Sequence, residues 1–404
     1  MTWKYVCVAL CALAVRLSAA PVEWDVATFQ KPPRVLAAPA SVEVPEGVHA
    51  VCFEGPRWRG RETTQVFAYY GVPAGASAER PVPGIVLVHG AGGTAFARWV
   101  KLWVDRGYAA IAFDNDAGLP IGKFSDWARN PESGPRRGDI AQIKWPVTDQ
   151  WMYHAVANTM LAHSLLASLP GVDARGIGVT GVSWGGVIVA NTVAIDERLK
   201  FAAPVYGCGF IAEESADGSS FVGQKGTPEQ RAEWSALWDP AHYLPEAKAP
   251  LLWLNGTNDF AFTPHAWQRS YRSAPGERRI SLRVRMQHAH GPVSEEAAEV
   301  YAFAESRVNG GAPLAQVSAP GGDKNRAWAG VESSKPLVRA EFNFTRNGGR
   351  WQDRVWETVP AQIENGRVSA AVPAGAAAYF FNVIDDRGLI VSSEHVVIST
   401  ETNP

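Results

Sequence analysis

The chain has 404 residues, 46% of them apolar and 19% charged, with a net charge of −2. That length accommodates a large domain plus a small one. The near-neutral balance supplies no basic stripe to neutralise phosphates, which excludes nucleic acid as a partner.

The first twenty residues, "MTWKYVCVALCALAVRLSAA", read as a secretory signal. Lys4 opens it, Val6–Val15 is a short apolar run, and Ser18-Ala19-Ala20 is a small-residue cleavage site. The run is too short to span a bilayer and nothing later is long enough, so no stable membrane insertion is expected. The mature chain is expected to be secreted or periplasmic. Cys7 and Cys11 fall in the signal. Cys52 and Cys208 remain, match no zinc spacing, and are expected to be buried thiols.

Residues 21–45 are rich in Pro and Ala and read as a lead-in along the surface. Two strands follow in "VHAVCFEGPRW" and "TTQVFAYYGVP". "PGIVLVHGAGG" carries a continuous apolar strand, Ile85–Val88, into a Gly-rich loop, as suits a strand covered on both faces. From there helices and strands alternate. "FARWVKLWVDRG" predicts a helix ending at Gly107, "YAAIAFD" a strand, and residues 150–169 a helix stopped by Pro170-Gly171. "GIGVTGV" is a strand, "GGVIVANTVA" a helix, and "FAAPVYG", "PLLWLNG" and "ISLRVRM" are further strands, with helices starting near Pro264 and Pro292. The alternation implies a mainly parallel sheet with helices on both faces, whose ligand site lies at the carboxyl ends of the strands. Residues 115–149 and 208–240 read as long irregular segments of the functional kind. A linker over 310–325 separates this domain, 21–309, from strand-like segments over 326–404. There Val338, Ala340, Phe342 and Phe344 alternate with Arg339, Glu341 and Asn343, and a small β-sandwich is expected.

One stretch does not fit a buried strand. In Gly181-Val182-Ser183-Trp184-Gly185-Gly186 an apolar strand stops at a serine flanked by glycines, and a helix follows at once. A hydroxyl is a poor nucleophile unless a base lies within reach and donors await the oxyanion. A tight strand-to-helix turn exposes the Ser183 oxygen and aims the Trp184 N–H at the carbonyl under attack. Gly181 and Gly185, lacking Cβ, let strand and helix close around it. The second oxyanion donor is expected from "HGAGG", His89–Gly93, with Ala91 N–H preferred and Gly92 the alternative. His89 is expected to hold that loop. In the order Ser, acid, His, Asp259 follows the buried strand "LLWLNG", whereas Asp239 and Asp217 follow none directly. "RMQHAHGPV" offers His288 and His290 as base; His290 is preferred because the residue beside Gly291 sits on the more flexible tip.

The layout resembles the α/β-hydrolase superfamily. "TTQVFAYYGVP", "VLVHGAGGTAF", "GVTGVSWGG", "PVYGCGF" and "GTNDFAF" resemble secreted bacterial enzymes of the dienelactone-hydrolase and acetylxylan-esterase-like group, neighbours of the prolyl-oligopeptidase catalytic domain, over about residues 46–308. The resemblance implies a three-layer α/β fold, with Ser183 as nucleophile, Asp259 as acid and His290 as base. It also implies a small ester or acetylated polysaccharide as substrate. Trp127, Trp145, Trp151, Trp234 and Trp238 lie in or beside the long segments, and one or two are expected to line the cleft, the rest packing loops. "DNDAG", Asp114–Gly118, lacks the later Glu of a calcium loop, so neither metal nor cofactor is expected. Two rival readings stay open: a prolyl-oligopeptidase-like peptidase, for which residues 21–80 are too short to form a propeller, and a non-catalytic glycan-binding module.

Overall fold

The structure is a computed structural model that describes residues 22–214, 226–323 and 325–398. The signal expected over residues 1–20 and the acid candidate Asp217 lie outside the described residues.

In chain order the first domain runs α1 (Val26–Phe29), β1 (Val35–Ala37), β2 (His49–Gly55), β3 (Thr64–Gly71), β4 (Val82–Val88), α2 (Ala97–Val104) and β5 (Ala109–Phe113). A hairpin follows, β6 (Gly118–Lys123) and β7 (Asp126–Arg129), then α3 (Trp151–Ala167), β8 (Val172–Val182), α4 (Trp184–Ile195) and β9 (Ala202–Val205). After α5 (Ile211–Glu214) and α6 (Pro228–Trp238) come β10 (Leu251–Gly256), α7 (Pro264–Ser273), β11 (Arg278–Arg283), α8 (Pro292–Glu295) and α9 (Ala298–Val308). The sheet order is β1-β2-β3-β5-β4-β8-β9-β10-β11. Strands β5 to β11 in that order run parallel, and β1, β2 and β3 add an antiparallel edge.

The chain steps from β4 to one side, β5, and returns on the other, β8. That reversal opens a crevice at the carboxyl ends of β4 and β8. Register then places the loops. Val88 pairs with Gly181, so His89–Gly93 and Val182-Ser183 leave the sheet side by side. Gly256 pairs with Arg283, so the loops carrying Asp259 and His288 also leave together.

Helix α3 is buried on every side through Leu166 rather than along one stripe. A helix apolar all round needs cover on all faces. The sheet supplies one, and the lead-in supplies another: Trp24 stacks on Tyr153 at 5.1 Å, and the Ser164 hydroxyl donates to the Phe29 carbonyl at 2.7 Å. The segment 208–240 is less irregular than its composition predicts. Thr227-Pro228-Glu229-Gln230 forms a capping box that starts α6.

An all-antiparallel domain follows, and the linker expected over 310–325 already contributes to it: Gln316–Val317 and Gly321–Gly322 pair with strand 326–332. Its strand 356–364 pairs along its first half with 337–345 and along its second with 367–371. Phe342 and Phe344 are buried as expected, but Val338 is 61% exposed. The register of its strand shifts between Leu337 and Arg339, so the alternation breaks just there, and Asn343 is buried instead.

The far end of α4 is pinned by Asp196. Its carboxylate takes Arg198 at 2.7 Å and His163 Nδ1 of α3 at 2.9 Å. Burial alone would raise its pKa; the bonds from Arg198 and His163 outweigh that and lower it from the ordinary 3.8 to about 2. A depressed carboxylate adds stability that is complete above its unfolded value and lost as pH falls through the folded one. This contribution is therefore expected to disappear between about pH 4 and pH 2. Asp196→Asn should cost about 3 kcal/mol at pH 7, from loss of a buried partner, and should flatten the acid limb of the stability profile measured by denaturant unfolding.

Candidate active site

Ser183 sits between β8 and α4 at φ 59°, ψ −119°, a left-handed conformation that a serine does not adopt without support. The support is close packing against glycines. A Cβ on Gly181 would stand 2.4 Å from the Gly185 carbonyl oxygen, and one on Gly185 would stand 2.0 Å from that of Val88. The roles expected for both glycines are those the packing gives them. The turn leaves the Ser183 side chain half-buried at the floor of a cavity of about 690 Å³, and puts Trp184 at the N-terminus of α4. The positive end of that helix faces the same cavity, favouring negative charge.

The loop after β4 forms the opposite wall, with Ala91 and Gly92 lining the cavity. His89 is buried, as expected. Its Nδ1 lies 2.8 Å from the Gly90 carbonyl and its Nε2 accepts the Asn115 N–H at 3.0 Å. Accepting at Nε2 fixes the proton on Nδ1, and burial holds its pKa below the usual value. Gly92 offers its carbonyl to the Trp127 indole at 2.8 Å and to Ser125 N–H at 2.8 Å. Trp127 thus braces the His89–Gly93 loop.

Asp259 is 2% exposed in the loop after β10. One carboxylate oxygen accepts the N–H groups of Ala261 and Phe262, both at 2.8 Å. The other lies 2.6 Å from His288 Nδ1. The expected Asp259–His290 pair is not formed. His290 turns its Nδ1 to Glu295 at 2.9 Å, and its Nε2 accepts the Gly90 N–H at 2.9 Å. A base must offer a lone pair to the serine proton, and the Nε2 pair of His290 is already taken. His288, with Nδ1 on Asp259, lines the same cavity as Ser183. The Tyr206 ring stacks on His288 at 4.3 Å and Phe260 leans on it at 4.7 Å, fixing the imidazole plane. Of the other acid candidate within the described residues, Asp239, both oxygens are occupied by the N–H groups of Phe210, Ile211 and Ala241; it holds a turn.

None of the five tryptophans singled out lines this cavity. Trp151, Trp234 and Trp238 are buried in the core, and Trp145 stacks under Arg59 at 4.1 Å. The aromatic rim is instead Phe124 and Phe260, 52% and 53% exposed, with Phe262 and Trp184 deeper. Asp116 and Arg137, both from the segment after β5, add charge to the wall. Cys52 and Cys208 are both buried. Asp114 of "DNDAG" is spent on its own turn, accepting Thr94, Asp116 and Gly118. Among the described residues no group of three His, Cys, Asp or Glu side chains could hold a metal ion, and no helix is long and apolar enough to cross a membrane.

The family model for the dienelactone hydrolase family matches residues 66–301, more than half of the chain. The chain belongs to the dienelactone hydrolase family. It is a serine hydrolase of the esterase kind, on an α/β-hydrolase fold. No curated protein sequence matches it. Among solved structures, an acetyl xylan esterase from a Paenibacillus species aligns with TM-score 0.57 at 19% identity, covering 70% of this chain and 92% of that one. Acetyl xylan esterase 1 from a Thermoanaerobacterium species aligns with TM-score 0.51 at 16% identity, covering 68% and 91%. At such identities the likeness is one of fold.

The loop carrying Asp259 is gripped from outside the α/β domain. The Asn258 amide nitrogen faces the carbonyls of Trp351, Gln352 and Arg354 at 3.1, 3.0 and 2.8 Å. The Gln352 amide lies 3.4 Å from the Asp259 carbonyl. Asn258→Ala is expected to lower stability by about 1–3 kcal/mol through carbonyls left unpaired, and to lower kcat by roughly 10-fold as Asp259 loses its fixed place. Denaturant unfolding and esterase kinetics check both; unchanged values would show that this contact holds nothing.

Proposed function

We propose that the protein is an exported serine esterase that removes small acyl groups, acetyl first among them, from carbohydrate. Ser183, His288 and Asp259 are its nucleophile, base and acid. The observation that carries the assignment is the 2.6 Å pairing of Asp259 with His288, a histidine that lines one cavity with Ser183.

His288 Nε2 takes the Ser183 proton as Oγ bonds to the ester carbonyl carbon. Charge gathers on the carbonyl oxygen, which rests on the N–H groups of Trp184 and Ala91; each such donor is worth a factor of ~10²–10³. Asp259 holds the imidazole tautomer and stabilises the imidazolium. His288 then gives its proton to the leaving alcohol oxygen as the carbon–oxygen bond breaks. Water, deprotonated by the same nitrogen, releases the acid and restores Ser183.

The substrate reading draws on four things: family membership, neighbours named acetyl xylan esterases, the signal expected over residues 1–20, and the rim of Phe124 and Phe260. Exposed aromatic faces suit the apolar faces of sugar rings. A fluorophosphonate probe is expected to label the wild type and not Ser183→Ala. Ser183→Ala and His288→Ala should each lower acetate release from acetylated xylan by at least ~10⁴-fold. Acetate release that survives in Ser183→Ala would overturn the mechanism, and cleavage of a prolyl peptide in place of the ester would overturn the substrate.

A further inference from the structure

Two histidines line the cavity, and the reaction uses one. His288 and His290 lie two residues apart on one loop, and both line the cavity. His290 has both ring nitrogens engaged. An amide N–H can only donate, so Nε2 accepts from Gly90 and the ring proton sits on Nδ1, facing Glu295. Glu295 is buried, and its second oxygen takes a guanidinium nitrogen of Arg98; the other arm of Arg98 reaches Glu296 at 2.7 Å. Burial would raise the Glu295 pKa, but the bond from His290 and the charge of Arg98 oppose it, and the pKa is lowered. Phe96, Trp99 and Phe124 stand around the imidazole with ring centres 5.1, 6.3 and 6.1 Å away. The whole relay, Arg98 to Glu295 to His290, ends on one main-chain amide.

We propose that His290 is a positioning residue for the oxyanion hole, acting through the Gly90 N–H to orient the peptide that presents Ala91 N–H to the substrate. The inference rests on the serine-hydrolase reading above. Gly90 is pinned on both sides. Its N–H is held by His290, and its carbonyl lies 2.8 Å from His89 Nδ1 and 3.1 Å from Gly93 N. The Gly90 carbonyl and the Ala91 N–H belong to one planar unit and point in opposite directions. Holding the carbonyl toward His89 and Gly93 therefore aims the Ala91 N–H the other way. His290 fixes the adjoining torsions from the N-terminal side. There is no slack in this arrangement. A Cβ on Gly90 would stand 2.5 Å from the Val182 carbonyl oxygen and 2.9 Å from Ser183 Cβ, so the Gly90 backbone lies directly against the nucleophile. His290 and His288 ride on the same loop, which ties the placement of the base to that of the oxyanion donor.

The test is steady-state hydrolysis of a chromogenic acetate ester by four variants of the full chain. His290→Phe keeps a ring and loses both hydrogen bonds, and should lower kcat by about 10²-fold with KM within about threefold. His290→Ala should do the same, and either variant serves if the other fails to fold, as thermal unfolding reports. His290→Gln offers one donor and one acceptor but no titrating base, and should recover kcat to within about 10-fold of wild type. Wild-type kcat in His290→Phe would overturn the proposal. So would a His290→Gln variant as inactive as Ser183→Ala, which would make His290 the base. Turnover by Ser183→Ala would instead bring down the serine reading, and this one with it, without any change at His290.

Discussion

Everything at this site depends on one backbone conformation, the left-handed Ser183 between a buried strand and a buried helix. Such a residue costs on the order of 1–3 kcal/mol and persists only where its surroundings leave it no alternative. Here they do not. Gly181, Gly185, Gly90 and Gly207 each approach backbone so closely that a Cβ would collide, the last at 2.2 Å from the Ser183 carbonyl oxygen. Four chain segments converge on the turn, from β4, β8, β9 and the start of α4. The same contacts that force the strain also fix the Trp184 amide, the helix terminus and the oxyanion loop relative to the hydroxyl. The geometry around Ser183 is thus a consequence of packing in the sheet rather than of the loops alone.

The second constraint is a count of lone pairs. Two histidines and two buried carboxylates share the site, and each imidazole has one acceptor nitrogen. His290 spends its acceptor on a peptide N–H, so it holds the chain; His288 meets Asp259 through Nδ1 and lines the cavity with Ser183, which leaves Nε2 for the proton transfer proposed. The carboxylates follow suit. Asp259 is stabilised by two main-chain donors and faces His288, whereas Glu295 is stabilised by Arg98 and faces His290.

Much of this was legible in the sequence, and the limits have physical causes. The elbow, the strand alternation, the Gly-rich loop and Asp259 all show as local signals: a glycine frame around serine, or a polar residue ending an apolar run. The choice between His288 and His290 does not. It turns on which carboxylate each meets across the fold, and Glu295 lies on a helix that nothing in the motif singles out. The tryptophans misled for a related reason. Composition reports an indole's chemistry but not its depth, and the large rings of Trp151, Trp234 and Trp238 contribute more to stability when buried. Phe124 and Phe260, isolated in polar loops, gave no periodic signal and form the rim. The capping box of α6 was present in Thr227 and Gln230, but the helix it starts has no clear apolar stripe to separate it from its surroundings.

The C-terminal domain also bears on the site, since Asn258, adjacent to the acid, is docked on residues 351–354. Ser183, His288, Asp259 and the His89–Gly93 loop, to which the proposed mechanism gives the roles of nucleophile, base, acid and oxyanion donor, are thereby held by separate parts of the chain. The most direct measurement of that account is a crystal structure of the phosphonylated enzyme. It should show phosphorus on Ser183 Oγ and the phosphoryl oxygen about 3 Å from the Trp184 and Ala91 nitrogens. His288 Nε2 should approach an ester oxygen while His290 remains on Gly90. An adduct with His290 Nε2 at that oxygen and His288 turned away, or with phosphorus on another residue, would contradict it.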